Sequence, residues 1–196
     1  RTQNTAPEAY EAVFEKEDED GNRGVSLSKA LVKNVGKALK ANLTSMGPSV
    51  LPLREQIKTV SIAALRHVAK ASQGTLASLG WADAAAAIPT PAPYVPSFLT
   101  GVRHFCIHAG GRRVIEGIED SLKLPKEATA PSRAALHTFG NTSSSSIWYE
   151  LKFIEQEQDR WVAPDAGPPI QAGERVLQLA FGSGLKVNSA LWLRLQ

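Results

Sequence analysis

The stretch HTFGNTSSSSIWYEL, His137 to Leu151, places a histidine four residues before an asparagine, and a run of one threonine and four serines follows. A second stretch, RHFCIHAGG, sets His104, Cys106 and His108 at alternate positions ahead of two glycines. Strand alternation would put those three side chains on one face. That could be a set of metal ligands, but a closed zinc site wants four and nothing nearby supplies a convincing fourth. Cys106 could be a nucleophile with a histidine base, yet a thiol inside an apolar strand is more often an inert core residue. FGSGL, Phe181 to Leu185, has the wrong spacing for a G-x-S-x-G nucleophile elbow. GNTSSSS lacks the lysine and the glycine spacing of a P-loop, so phosphate binding at a helix start is a weak signal there. Capping and close packing are the plainer use of its serines. What remains is a pair: His108 before Ala-Gly-Gly, and Asn141 after Gly140. Taken singly, each could be a satisfied buried polar group. Two such hydrogen-bond donors converging on one point would make an oxyanion site for charge on a thioester carbonyl.

Those residues need elements to hold them. RHFCIH reads as a short buried strand, and after the Gly110-Gly111 turn Val114, Ile115, Ile118 and Leu122 recur at helical spacing. A brief helix over 132–137 leads into the asparagine motif, and a further helix is expected over about 143–157. RVLQLAF (175–181) and KVNSALWLRL (186–195) read as strands. Upstream, residues 24–47 predict an amphipathic helix with Leu31, Val35, Ala38, Leu39 and Leu43 on one face, capped by Ser26 or Ser28 and ended by Gly47-Pro48. A second helix is predicted over 53–72, with Ile57, Val60, Ala64 and Val68 as its apolar face and His67 beside it. The Ala/Pro-rich segment 82–97 reads as a linker or irregular loop. The order strand, helix, helix, strand, strand is an α/β layered pattern.

A chain of 196 residues fits one domain with a sizeable core. Its net charge of +3 is too mild to imply nucleic acid. Residues 15–20 read EKEDED, whereas Lys29 to Lys70 holds eight Lys or Arg against one acid, Glu55. That imbalance fits basic outer faces of helices, or a surface that attracts an anionic ligand such as a phosphorylated carrier. The single cysteine excludes an internal disulfide and fits a reducing compartment. No apolar run approaches the length of a membrane span. The first residue is arginine and the only methionine is Met46, which points to a piece of a longer protein.

FCIHAGGRRVIEG, LHTFGNTSSSSIWYEL, RVLQLAFGSGLKVNSALW and the segment Gly24 to Leu53 together resemble the C-terminal half of the plant-type 3-ketoacyl-CoA synthases, the condensing enzymes of very-long-chain fatty acid elongation. The resemblance implies an α/β fold, the C-terminal half of a thiolase-like condensing-enzyme domain with a mixed sheet covered by helices, occupying residues 1–196. A divergent Ala/Pro-rich insertion would lie near 73–97. The implied reaction is a decarboxylative Claisen condensation of malonyl-CoA with a long-chain acyl-CoA, with no metal and no cofactor beyond those substrates. By motif position, His108 and Asn141 would hold the malonyl thioester oxygen. His137 and His104 would support them by orienting the site or tuning its protonation, and Gly182 and Gly184 would lie in a loop that approaches the nucleophile.

The family's nucleophilic cysteine and membrane spans belong to an N-terminal part that these residues do not include. Cys106 sits in the histidine motif and does not inherit the nucleophile's role. In RTQ, Gln3 stands where the family is expected to carry a histidine; glutamine hydrogen bonds but carries no proton at neutral pH. The resemblance further implies a homodimer working with other elongase enzymes at the cytosolic face of the endoplasmic reticulum membrane. The alternative is a non-catalytic homologue or partner subunit that modulates a complete synthase. Half of such a fold, taken alone, is expected to expose apolar core surface and to self-associate.

Overall fold

A computed structural model describes residues 2–3, 7–28, 31–155, 165–182 and 185–196. Four strands form one mixed sheet in the order β1 (Thr2–Gln3), β6 (Lys186–Leu193), β5 (Arg175–Gly182), β4 (His104–Ile107). β4 runs parallel to β5, and the other two pairings are antiparallel. The expected strands of 175–181 and 186–195 appear with shifts of one or two residues.

Alternation along β4 and β5 splits the core in two. Phe105, Ile107, Leu177, Leu179 and Phe181 pack under α2 (Leu31–Val50) and α5 (Arg112–Leu122). Cys106, Val176 and Ala180 pack against Ile147 and Ile154 of α7 (Ser146–Glu155) on the other face. Beside α7 lies α6 (Ala130–Phe139), joined to it through Ala134, Ala135 and Phe153. Arg133 of α6 forms a two-pronged ion pair with Glu119 of α5, which ties the helix ahead of Asn141 to the helix behind His108.

Three expectations for the first hundred residues need correction. Residues 24–27 are strand, not helix: β3 (Arg23–Leu27) pairs antiparallel with β2 (Val13–Glu17), just after the short helix α1 (Pro7–Tyr10). The Asp18 carboxylate accepts the backbone N–H groups of Asp20 and Asn22, and this local bonding closes a hairpin that outcompetes the helix start. Second, α2 runs through Gly47-Pro48 to Val50. Its last carbonyls find side-chain donors: Gln56 Nε2 serves Pro48 and Leu51, and the Arg175 guanidinium serves Ser49 and Val50.

Third, α3 (Leu53–Ser78) exposes Ile57, Val60 and Val68, part of the stripe the sequence assigns to the core. Its other side holds the proline-rich chain with polar groups. Gln73 donates to the Ile88 carbonyl, Arg66 donates to that of Pro91, and Glu55 accepts from Tyr94 Oη and Ser97 N. Prolines lack N–H groups, so such a segment is docked through its carbonyls more readily than through backbone pairing. The segment is not wholly irregular, since α4 (Ala82–Ala87) opens it.

Candidate functional site

β4 delivers His108 one residue beyond its end. The expected shared face for His104, Cys106 and His108 fails there, because alternation stops with the strand. His108 instead stacks on Phe181, which belongs to the other face's core, with ring centroids 4.1 Å apart and planes 15° from parallel. Its backbone N–H still donates to the Leu179 carbonyl at 2.8 Å, so the residue is held by the sheet although its ring has left the pleat. The ring is buried, and Nδ1 has no hydrogen-bond partner among the described residues. Burial pushes the imidazole pKa down to about 4, so His108 is neutral at physiological pH. A neutral imidazole presents one N–H donor.

Asn141 arrives from the other side. α6 stops at Gly140, whose φ of +70° turns the chain at little steric cost. Asn141 then points its side chain back: Nδ2 donates to the Gly110 carbonyl at 3.0 Å and Oδ1 accepts from Ser143 N at 2.8 Å. Gly110 also lies against the His108 ring, since a Cβ there would fall 3.1 Å from Nε2. The two motifs therefore meet on one glycine. Asn141 is solvent-facing, and an amide nitrogen has two N–H bonds, so one donor is left after Gly110 is served.

His104 and His137 are placed differently. His104 sits at the opposite end of β4, about 13 Å from His108 at strand rise, with Nε2 2.9 Å from Glu174 Oε2. Its visible work is to pin β4 to the turn before β5. His137 lies exposed in the last turn of α6 and makes no hydrogen bond among the described residues. Gly182 ends β5 with open space around it, and Gly184 lies outside the described residues. Gln3 pairs with Lys186, which pairs in turn with Gly182, so Gln3 lies on the edge strand opposite β4, at the end of the sheet where Phe181 meets His108. Cys106 is buried in the apolar cluster under α7, where desolvation and then the nearby Glu150 and Glu155 push its thiol up. No group of three His, Cys, Asp or Glu side chains suited to a metal ion occurs among the described residues.

The sequence reading missed three buried polar residues behind the site: Ser132, Ser146 and Glu150. A carboxylate in phase with Ile147, Phe153 and Ile154 on the inward face of α7 was the available signal. Burial lifts the Glu150 carboxyl to about 8, against the opposing pull of the nearby Ser132 and Ser146 hydroxyls and Ile107 N–H.

Comparison with known proteins bears on the family and the fold. Residues 1–68 match the family described as FAE1/Type III polyketide synthase-like protein, and residues 102–195 match the C-terminal domain of chalcone and stilbene synthases. The chain is 43% identical over 184 residues to 3-ketoacyl-CoA synthase 5 of Arabidopsis thaliana, covering 94% of this chain and 32% of that protein. It is 43% identical over 189 residues to the probable 3-ketoacyl-CoA synthase 20 of Oryza sativa subsp. japonica, covering 96% and 31% respectively. The chain thus spans about a third of the length of these curated relatives. Among solved structures, a fungal type III polyketide synthase, ORAS, superposes with a TM-score of 0.57 at 19% identity over 99% of this chain and 39% of that one. PKS-I from the brown alga Ectocarpus siliculosus gives 0.56 at 18% identity over 96% and 36%. At such identities the likeness speaks for the fold, and the expected thiolase-like α/β architecture holds.

Proposed function

This chain belongs to the 3-ketoacyl-CoA synthases, and we propose that the complete protein condenses malonyl-CoA with a long-chain acyl-CoA using His108 and Asn141 as its oxyanion donors. The carbon–carbon bond to the malonyl carboxylate breaks, carbon dioxide leaves, and the electron pair becomes an enolate with its charge on the thioester oxygen. The neutral His108 imidazole and the spare Asn141 N–H would each donate a hydrogen bond to that oxygen. The enolate carbon then attacks an acyl thioester held on a cysteine of the N-terminal part. The cysteine thiolate is expelled, and the product is a 3-ketoacyl-CoA two carbons longer. No cofactor beyond the two thioesters is required.

The observation that carries this reading is the meeting of the two motifs on Gly110: Asn141 Nδ2 donates to its carbonyl, and the His108 ring lies where its side chain would begin. His108→Ala and Asn141→Ala in the complete protein are each expected to lower malonyl-CoA decarboxylation on the order of a hundredfold to a thousandfold, with acyl loading largely intact. Normal decarboxylation in both variants would sink the assignment. A homodimer associated with other elongase enzymes, at the cytosolic face of the endoplasmic reticulum membrane, is part of the same proposal. No helix among the described residues is long and apolar enough to cross a membrane, so any span lies elsewhere in the protein.

Gln3 favours a second reading, a non-catalytic partner that modulates a complete synthase. It lies at the same end of the sheet as the site, and glutamine cannot move the proton that a histidine could there. Acyl loading and condensation by the complete protein separate the two readings, and restoring histidine with Gln3→His tests whether activity was lost at that position.

A further inference from the structure

β4 is an edge strand among the described residues, and the outward N–H groups that bracket His108 are satisfied. His108 N–H points inward to β5; the N–H groups on either side of it point outward. That of Ile107 donates to Ser132 Oγ at 2.9 Å, and that of Ala109 donates to Ser146 Oγ at 2.8 Å. The Ser132 hydroxyl donates in turn to Glu150 Oε2 at 2.6 Å. Ser146 and Glu150 are one helical turn apart on α7, so both face β4, and the Ser146 hydroxyl also lies against the Glu150 carboxyl. All three side chains are buried. Because a hydroxyl donates one proton while accepting others, a carboxyl that draws the Ser132 proton, with the Ser146 hydroxyl beside it, leaves serine lone pairs facing the two peptides that bracket His108.

We propose that Ser132, Glu150 and Ser146 are positioning residues for His108: a carboxyl-anchored pair of serines that clamps the peptides on both sides of the imidazole and keeps it stacked on Phe181 beside Gly110. This rests on His108 acting as an oxyanion donor. An apolar residue at position 150 would fill the space without burying a carboxyl, whose Oε1 has no hydrogen-bond partner among the described residues. The glutamate supplies direction to the hydroxyls, which an apolar residue cannot. It remains protonated near neutrality, so no negative charge is set behind a site where negative charge must develop.

The test uses the complete protein with Ser132→Ala, Ser146→Ala, Glu150→Ala and Glu150→Gln. Each serine variant and Glu150→Ala are expected to lower kcat for malonyl-CoA decarboxylation about tenfold or more, with KM and acyl loading unchanged. Glu150→Gln keeps a neutral acceptor and donor in the same volume and is expected to stay within a few-fold of the parent. Two readouts do not depend on activity. Amide hydrogen exchange quickens at Ile107 in Ser132→Ala and at Ala109 in Ser146→Ala, and the carbon-13 titration of His108 shifts in Glu150→Ala but not in Glu150→Gln. Unchanged exchange and an unchanged His108 titration overturn the proposal, as does a Glu150→Gln variant that loses as much as Glu150→Ala. A parent that fails to decarboxylate malonyl-CoA refutes the catalytic reading instead, while exchange and titration still decide whether the clamp exists.

Discussion

Gly110 is the residue on which the two halves of the site meet, and its missing side chain is what permits the meeting. A Cβ there would come 3.0 Å from Cδ2 of His108, closer than ordinary van der Waals contact. Gly110→Ala is therefore expected to push the imidazole off Phe181 and to cut decarboxylation by at least about tenfold, while the fold itself persists. A crystal structure of the variant showing an unmoved ring would count against this. The two buried titrating groups oppose each other in pH. His108 titrates near 4 when folded against an ordinary 6.5, so the unfolded chain takes up its proton first and acid weakens the fold across that window. The loss is on the order of 3 kcal/mol from a shift of this size. Glu150 titrates near 8 against an ordinary 4.5, so the unfolded chain releases its proton first and stability falls as pH rises between those values. Glu150→Gln removes only the second effect. Its urea midpoint is expected to gain on the parent's steadily from pH 5 to pH 8, and a constant gap would refute the buried, protonated acid.

At the scale of elements, the site depends on how strand and helix ends are tied off. α2 outruns its own Gly-Pro signal because Arg175, at the start of β5, takes the carbonyls of Ser49 and Val50 and that of Gly101 ahead of β4. One guanidinium thereby joins the end of a helix to two strands of the sheet. Arg175→Ala leaves three carbonyls without that donor and is expected to cost about 2 kcal/mol of stability, within the usual range for broken charged hydrogen bonds. Equilibrium urea unfolding would register this as a lowered midpoint with an unchanged slope. At the same end of the sheet, Glu174 holds His104, so the histidine read from its motif as a helper of the site serves β4 at its far end.

For the whole molecule, the notable surface is the outward face of α3. Leu53, Ile57, Val60 and Val68 are all exposed, on a helix whose opposite side is already occupied by the proline-rich chain. Large contiguous apolar patches are rare on soluble monomers. This chain by itself is expected to self-associate, and replacing Ile57, Val60 and Val68 together by glutamine is expected to reduce that association without loss of helix. Sedimentation velocity across a tenfold concentration range, beside circular dichroism, checks both halves of that expectation. A parent chain that stays monomeric throughout would show that the exposed stripe is tolerated.

The residue order alone carried the resemblance to the family, the α/β layering and the long helices, and it singled out the histidine and the asparagine that we propose as oxyanion donors. The layering and the helices are written in local spacing, in the apolar run 175–181 and the helical recurrence from Leu31 to Leu43, and the family resemblance in the longer motifs such as FCIHAGG and FGNTSSSS. Helical spacing failed where a partner outside the element set the outcome. Residues 24–27 took strand because Val13–Glu17 lay ready to pair with them, and α2 passed its proline because Gln56 and Arg175 received its carbonyls. The α3 stripe reads as core by periodicity, but periodicity says only that one face is apolar and not that anything covers it. Glu150 and its two serines come from α6 and α7 and converge on a strand more than twenty residues upstream. No spacing rule encodes that convergence, because it is the tertiary packing of two helices against a strand edge that turns three ordinary residues into a clamp on His108.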